Sequence, residues 1–287
     1  MMQLKSRIKP DWLKIQKEVN DDFISIRKIL KNKKLHTVCE EAKCPNRGEC
    51  WRKHTATIMI LGDKCTRACN FCAIGNDPSG FVDAEESRNV AEAVKLMNLK
   101  YCVLTSVTRD DLEDSGANIW AMTIKNIKLL TPKTKVEVLI PDFQGNQESL
   151  KIVLNAQPDV LSHNLETVRE LYSLARPAAD YKQSLQVLYQ ANQYGAVTKT
   201  GIMVGLGETF EQVKRLFQDV FETGCKIITI GQYLQPTQNH LDVKEYVTPA
   251  KFDEYKRLAH TIGFKAVMSG PLVRSSYCAE ELAELAK

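Results

Sequence analysis

No apolar run in the chain approaches the length needed to cross a membrane as a helix. The opening Met1-Met2-Gln3-Leu4-Lys5 lacks the apolar stretch of a signal peptide, and Asp11 comes early for a transit peptide. The cytoplasm is therefore the expected location, and a membrane is not an expected partner. A secreted disulfide framework is excluded too: the nine cysteines are odd in number and six are bunched in two triplets. There is no low-complexity tract, and no repeat beyond the alternation of strand and helix. No zinc-finger spacing, RNA-binding signature or interleaved aromatics appear in the basic N-terminal segment, so nucleic acid is not an expected partner either.

What remains is an ordinary globular composition, 44% hydrophobic and 26% charged over 287 residues, long enough for one barrel-like domain or two smaller ones. The net charge of +4 is unevenly spread. Residues 1–35 hold ten Lys or Arg against four Asp or Glu, so that segment is +6 and the remainder is −2. Such an arm reads either as a docking surface for an acidic partner or as a solvated face. Within it, Asn20-Asp21-Asp22 can cap a helix carrying Phe23, Ile26, Ile29 and Leu30.

From Thr55 the pattern alternates. Continuous apolar runs at 56–61, 101–106, 135–140, 158–163, 197–204 and 225–231 suit parallel strands covered on both faces. Their starts lie about 30–45 residues apart, one βα unit each. Helical spacing links Val90, Ala91, Val94 and Met97, with Asp83 and Glu86 as a capping box. It also links Leu185, Leu188 and Tyr189, and Phe210, Val213, Leu216, Phe217 and Val220. Right-handed crossovers curl six such units into an open barrel. An open doubly wound sheet fits the same pattern. In either fold functional groups collect at the carboxyl ends of strands. Those ends carry Thr105-Ser106-Val107-Thr108-Arg109-Asp110-Asp111, Ser162-His163-Asn164-Leu165-Glu166-Thr167, Gly201-Ile202-Met203-Val204-Gly205-Leu206-Gly207-Glu208 and Gln232-Tyr233-Leu234-Gln235-Pro236-Thr237. A short strand over 264–268, the Arg274-Ser275-Ser276-Tyr277 run and a helical tail follow.

Cysteine carries the chemistry. Cys65, Cys69 and Cys72 sit on a loop leaving the first strand, with gaps of three and two. Thiolates suit zinc or iron–sulfur clusters, and structural zinc wants four protein ligands, commonly as two pairs. Three thiolates leave one iron of a cubane open to a small molecule. A second triplet, Cys39, Cys44 and Cys50, precedes it on a segment that Pro45 and Gly48 mark as a turning loop. Taken alone, that triplet competes with a zinc site completed by His36 or His54. Cys102 and Cys225 read as ordinary buried thiols.

The C-x3-C-x2-C spacing, with Phe71 before the last cysteine, resembles the radical S-adenosylmethionine superfamily. Adding the second triplet, Arg274-Ser275-Ser276-Tyr277, Lys9-Pro10-Asp11-Trp12-Leu13 and Tyr246-Val247-Thr248-Pro249, the chain resembles the lipoyl synthase family over nearly its whole length. That resemblance implies an α/β fold: a partial (β/α)6 barrel of radical S-adenosylmethionine type with N- and C-terminal extensions. The expected parts are 1–54 with an auxiliary cluster, 55–260 as the barrel and 261–287 as the C-terminal extension. It implies a sulfurtransferase that inserts two sulfur atoms at C6 and C8 of a protein-bound octanoyl-lysine. Such unactivated carbons need a radical, supplied by a cofactor.

Two [4Fe–4S] clusters and S-adenosylmethionine are the implied cofactors. The cluster on Cys65, Cys69 and Cys72 would reduce S-adenosylmethionine to give the hydrogen-abstracting radical. The one on Cys39, Cys44 and Cys50 would give up sulfide and be consumed. Its fourth ligand is expected at Ser276, with Ser275 as the alternative and Cys278 as a possible competitor. Without the resemblance, both serines read as caps of the terminal helix. Thr105, Asn164, Glu166 and Arg176 are expected contacts of S-adenosylmethionine, with Gly205 and Gly207 allowing close backbone approach. A surface salt bridge is the other reading of Arg176. Implied partners are an octanoylated lipoyl carrier domain or H protein, an external electron donor and a cluster-repair protein.

Overall fold

The apolar runs found in the sequence become the strands of one sheet in the computed structural model, which describes residues 9–14, 21–42, 44, 46–53, 55–77 and 82–286. The strands are β1 (His36–Thr37), β2 (Thr55–Ile60), β3 (Lys64–Cys65), β4 (Gly75–Asn76), β5 (Tyr101–Ser106), β6 (Lys135–Leu139), β7 (Val160–Ser162), β8 (Thr198–Val204), β9 (Ile227–Gln232) and β10 (Ala266–Gly270). Eight of them pair in the order β1-β2-β5-β6-β7-β8-β9-β10. Only β1–β2 is antiparallel; the rest of the ladder is parallel. The six expected barrel strands all appear. The short C-terminal strand extends their ladder beside β9, so the extension continues the same sheet.

Helices cover the outer face because alternate strand residues point to it. Ala56, Ile58, Cys102, Leu104, Val136, Val138 and Leu161 pack with Val90, Val94, Trp120, Ile124 and Val153 from covering helices. Ile202, Val204, Ile228 and Ile230 pack with Val213, Leu216, Phe217 and Tyr255. The opposite face curls inward. Tyr101, Val103, Val160, Ile227 and Ala266 come from four strands spread across the sheet, yet they form one buried cluster with Ala279, Leu282 and Ala283 of the last helix, Ala279–Leu285. Strands so far apart in the ladder reach one helix only if the sheet bends around it, which favours the partial barrel over a flat doubly wound sheet. Just inside, Lys199 Nζ donates to Glu137 Oε1 at 2.8 Å and Tyr101 Oη donates to Glu137 Oε2 at 2.8 Å. Lys199 and Glu137 are fully buried, so the pair closes this end with polar groups that satisfy one another.

Several local expectations change. Asp83 and Glu86 form no capping box on the helix Glu86–Leu96. Glu86 instead accepts from the N–H groups of Leu61 and Gly62 at 2.7 and 3.2 Å, holding the turn after β2, where both residues have positive φ. Tyr189 lies on the exposed side of the helix Tyr181–Gln193; Val187, Leu188 and Ala191 face inward. Cys225 lies just ahead of β9 rather than within it, and it and Cys102 are buried. The helix Asp21–Asn32 forms, with Ile26 and Leu30 inward, but the expected cap at Asn20 lies outside the described residues. So do Pro45, His54 and, in the basic arm, Lys5 and Arg7.

Candidate active site

The loop after β2 is pinned across the carboxyl end of the sheet. Thr66 bonds the carbonyl of Thr108 through both its N–H and its hydroxyl, each at 3.0 Å. The N–H groups of Arg67 and Thr108 point at Cys65 Sγ, at 3.4 and 3.3 Å. Asn70 is tied to the carbonyls of Ala175 and Leu174, and Leu241 N–H donates to the Asn70 carbonyl. His240 Nε2 lies 2.8 Å from the Cys72 carbonyl.

Arg67, between the first two cysteines, is the strongest anchor. Nε and Nη2 fork onto Asp110 at 2.6 and 2.9 Å, and Nη1 and Nη2 fork onto Asp142 at 2.9 and 2.7 Å. Burial works to raise the Asp142 carboxyl, but the bonds and charge of Arg67 outweigh it and hold it at about 2.

Cys69 feels the neighbouring charges of Arg176, Glu166 and Cys65, and Cys72 those of Cys69 and Cys65, so the three thiols share one neighbourhood. Burial raises both, Cys72 to about 11. A metal centre would take the place of those protons. Among the described residues no group of three His, Cys, Asp or Glu could hold one metal ion. The all-sulfur donor set suits a cluster with sulfide of its own.

Beside Cys69, Arg176 is half-buried. Its Nη1 donates to the Asn164 carbonyl at 2.9 Å and to Tyr172 Oη at 2.7 Å, and the guanidinium stacks over the Tyr172 ring. This is an interior position, unlike the surface salt bridge of the alternative reading. Asn164 Nδ2 donates to Glu166 Oε1 at 3.0 Å, while Asn164 Oδ1 is buried without a partner. Glu166 has a positive φ of 70°, and burial raises its carboxyl against the pull of Arg176 and Asn164. A buried orphan acceptor beside a carboxylate and a guanidinium fits a ligand carrying both ammonium and carboxylate. Thr105 is buried, and its hydroxyl donates to the Leu139 carbonyl at 3.2 Å, leaving only lone pairs for a ligand. Gly205 and Gly207 have positive φ, but Gly205 is crowded by Gln232 Nε2 and the Glu245 carbonyl, and Gly207 faces Lys244. Their nearest neighbours are therefore protein.

The second triplet lies on short helices rather than on a loop: Cys39 in Val38–Glu41, capped by Thr37 Oγ1, and Cys50 in Arg47–Arg52, with Cys44 between. Cys39, Cys44 and Cys50 line one cavity together with Thr57, Arg274 and Ser276. Burial raises all three thiols, Cys39 to about 11. Arg274 supplies positive charge beside Cys44. His36 does not line this cavity; its Nδ1 faces Glu41.

The C-terminal run closes the far wall. Asn46 Nδ2 donates to the Leu272 carbonyl at 2.7 Å, Tyr277 Oη reaches the Glu49 carboxylate, and Thr57 Oγ1 donates to Ser276 Oγ at 2.9 Å. Ser276 lines the cavity, whereas Ser275 Cβ lies against Gly201. Neither serine caps the last helix, whose N-cap is Cys278 in a left-handed conformation. Cys278 lies near enough to Cys50 to interact with its charge. The sequence reading missed Arg67, Asp142, Thr57 and Asn46, while Asp110 lay in the polar run that it marked after the second strand. Arg67 at least was visible as a charged residue between two metal-type cysteines.

Comparison with known proteins adds three findings. Residues 59–220 match the radical SAM superfamily, and residues 2–44 match the N-terminal domain of lipoyl synthase. The chain is 53% identical over 287 residues to "Lipoyl synthase" of Caldicellulosiruptor saccharolyticus, covering 99% of this chain and 100% of that one. It is 51% identical over 273 residues to the "Lipoyl synthase" of Phocaeicola vulgatus, covering 95% of this chain and 96% of that protein. Among solved structures, HydG, a maturase of the [FeFe]-hydrogenase, superposes with TM-score 0.60 at 15% identity over 96% of this chain and 62% of its own. Methylornithine synthase superposes with TM-score 0.53 at 14% identity over 88% of this chain and 82% of its own. At such identities the two structures speak for the fold alone.

Proposed function

The chain belongs to the lipoyl synthase family of radical S-adenosylmethionine enzymes, and from that premise we propose that its two cysteine triplets hold two separate [4Fe–4S] clusters with different duties. The enzyme inserts two sulfur atoms at C6 and C8 of a protein-bound octanoyl-lysine, using an iron–sulfur cluster and S-adenosylmethionine. In our reading Cys65, Cys69 and Cys72 hold the first cluster, and Cys39, Cys44, Cys50 and Ser276 hold the second. When bound, the first supplies the electron that cleaves S-adenosylmethionine into a hydrogen-abstracting radical, and the second supplies sulfide.

The protein's own residues do the positioning. Arg67, forked onto Asp110 and Asp142, fixes the loop of the first triplet against the sheet. Arg176 is suited to the carboxylate of S-adenosylmethionine, and Glu166 with the free Asn164 Oδ1 to its ammonium or ribose hydroxyls. Thr105 offers lone pairs from the neighbouring strand end, and Gly205 and Gly207 shape the turn after β8. Tyr101, Val103 and the last helix close the end of the sheet opposite the cysteine loop with apolar contacts. Arg274 balances thiolate charge at the second cavity. An octanoylated lipoyl domain or H protein is the carrier, and the basic N-terminal segment is suited to an acidic one. An electron donor and a cluster-repair protein complete the cycle.

The single observation that carries this reading is the cavity that gathers Cys39, Cys44, Cys50 and Ser276 from opposite ends of the chain. Iron and sulfide analysis of anaerobically prepared protein tests it. About eight iron atoms per chain are expected, and about half should remain when either triplet is replaced by alanine. Replacing Cys39, Cys44 and Cys50 without loss of iron would contradict it.

A further inference from the structure

Ser276 lies in a segment without helix or strand, between β10 and the last helix. A serine side chain there has three staggered choices, and only an orientation into the cavity makes it a ligand. Thr57 restricts that choice. It sits inside β2, which is paired on both sides, by β1 and β5. It is buried, and its β-branched side chain is stiff at χ1. Its hydroxyl donates to Ser276 Oγ at 2.9 Å. Thr57 also lines the same cavity as Cys39. One rigid residue therefore stands in the wall shared by two of the four groups assigned to the second cluster, one from each end of the chain.

We propose that Thr57 is the positioning residue for the serine-held corner of the second cluster: its hydroxyl fixes Ser276 Oγ toward the cavity and so sets how firmly the fourth iron is kept. The proposal rests on the assignment of Ser276 as a ligand. With Thr57 donating, Ser276 Oγ keeps its own O–H direction for the cavity. That direction would be open to a bound iron in place of the serine proton, which would leave to solvent. A hydroxyl on so stiff a strand residue fixes Ser276 better than water, which could follow it as it rotates away.

The test compares retention of the fourth iron in the full-length holoenzyme. With S-adenosylmethionine present to cover the first cluster, the protein is challenged with an iron chelator, the three-iron form is oxidised by one electron with ferricyanide, and its half-integer-spin signal is counted by electron paramagnetic resonance. Thr57→Ala and Thr57→Ser differ by one oxygen atom. About tenfold more three-iron form is expected in Thr57→Ala than in the wild type, the scale of one lost hydrogen bond. Thr57→Ser should restore retention, and Thr57→Val should behave like Thr57→Ala. If Thr57→Ala and Thr57→Val keep their iron while Ser276→Ala loses it, the role of Thr57 is overturned. Loss in Thr57→Ser equal to that in Thr57→Ala overturns it too, because packing rather than the hydroxyl would then matter. If Ser276→Ala itself keeps its iron, it is the assignment of Ser276 that fails, and Thr57 has nothing to position.

Discussion

Replacing Arg67 by Met keeps much of the apolar stem and removes all five donors. The structure sets the cost. The Asp142 side chain is fully buried, with 0% exposure, and takes two of the four bonds, whereas that of Asp110 is 25% exposed. Water can replace part of what Asp110 loses, but Asp142 is left as a buried carboxylate without its cation. Removing one partner of such a pair costs about 3–5 kcal/mol. The depressed Asp142 carboxyl supports that scale. Its fall from 3.8 to about 2 corresponds to roughly 2–3 kcal/mol. Because the folded value is lowered, this stability is present above the unfolded value near 4 and is lost as pH falls toward 2. In the Met variant, burial acts alone and raises the carboxyl. The gap between wild type and variant is therefore widest near pH 7 and shrinks below pH 4. Urea unfolding of the cluster-free, reduced chain at both pH values measures it. Arg67→Met combined with Asp142→Asn should recover most of the loss. A variant within about 1 kcal/mol of wild type at pH 7, or a gap that widens on acidification, would refute the reasoning.

Two further perturbations follow from buried contacts. Lys199→Met strands Glu137 in the closed end of the barrel and should cost about 3–5 kcal/mol in the same unfolding assay. Adding Glu137→Leu should restore most of that, and no restoration would mean that packing rather than charge was lost. Gly231→Ala puts a Cβ 2.1 Å from the Val273 carbonyl, which is backbone and cannot swing aside. The expected result is a fold weakened by about 1–3 kcal/mol, with iron lost selectively from the second site because the segment bearing Ser276 must move. Equal loss from both sites would argue against that route.

The barrel was readable in sequence because parallel strands buried on both faces need continuous apolar runs. The ends of the six runs are marked by a change in composition that the chain cannot avoid. Cysteine spacing exposed the two triplets for a similar reason, since thiolates on one centre must lie close together. What escaped reading depends on long-range pairing. Arg67 meets Asp110 and Asp142 at separations of 43 and 75 residues, and Thr57 meets Ser276 across 219. No local pattern records such partners. Glu86 misled for the opposite reason: its spacing from Asp83 satisfies a local rule, but the positive-φ turn at Leu61 and Gly62 needed its carboxylate more. Pro45 and Gly48 suggested a loop, yet Thr37 caps a short helix through Cys39, and Gly48 is carried inside another.

That two sets of thiolates divide the work between radical generation and sulfur supply is tested most directly by the mass of the carrier. Wild type, Cys69→Ala and Cys44→Ala are each incubated anaerobically with an octanoylated lipoyl domain, S-adenosylmethionine and a reductant. The account predicts two added sulfur atoms on the carrier with wild type. It predicts neither cleavage of S-adenosylmethionine nor added sulfur with Cys69→Ala, and cleavage without added sulfur with Cys44→Ala. A carrier that gains both sulfur atoms from Cys44→Ala would contradict it.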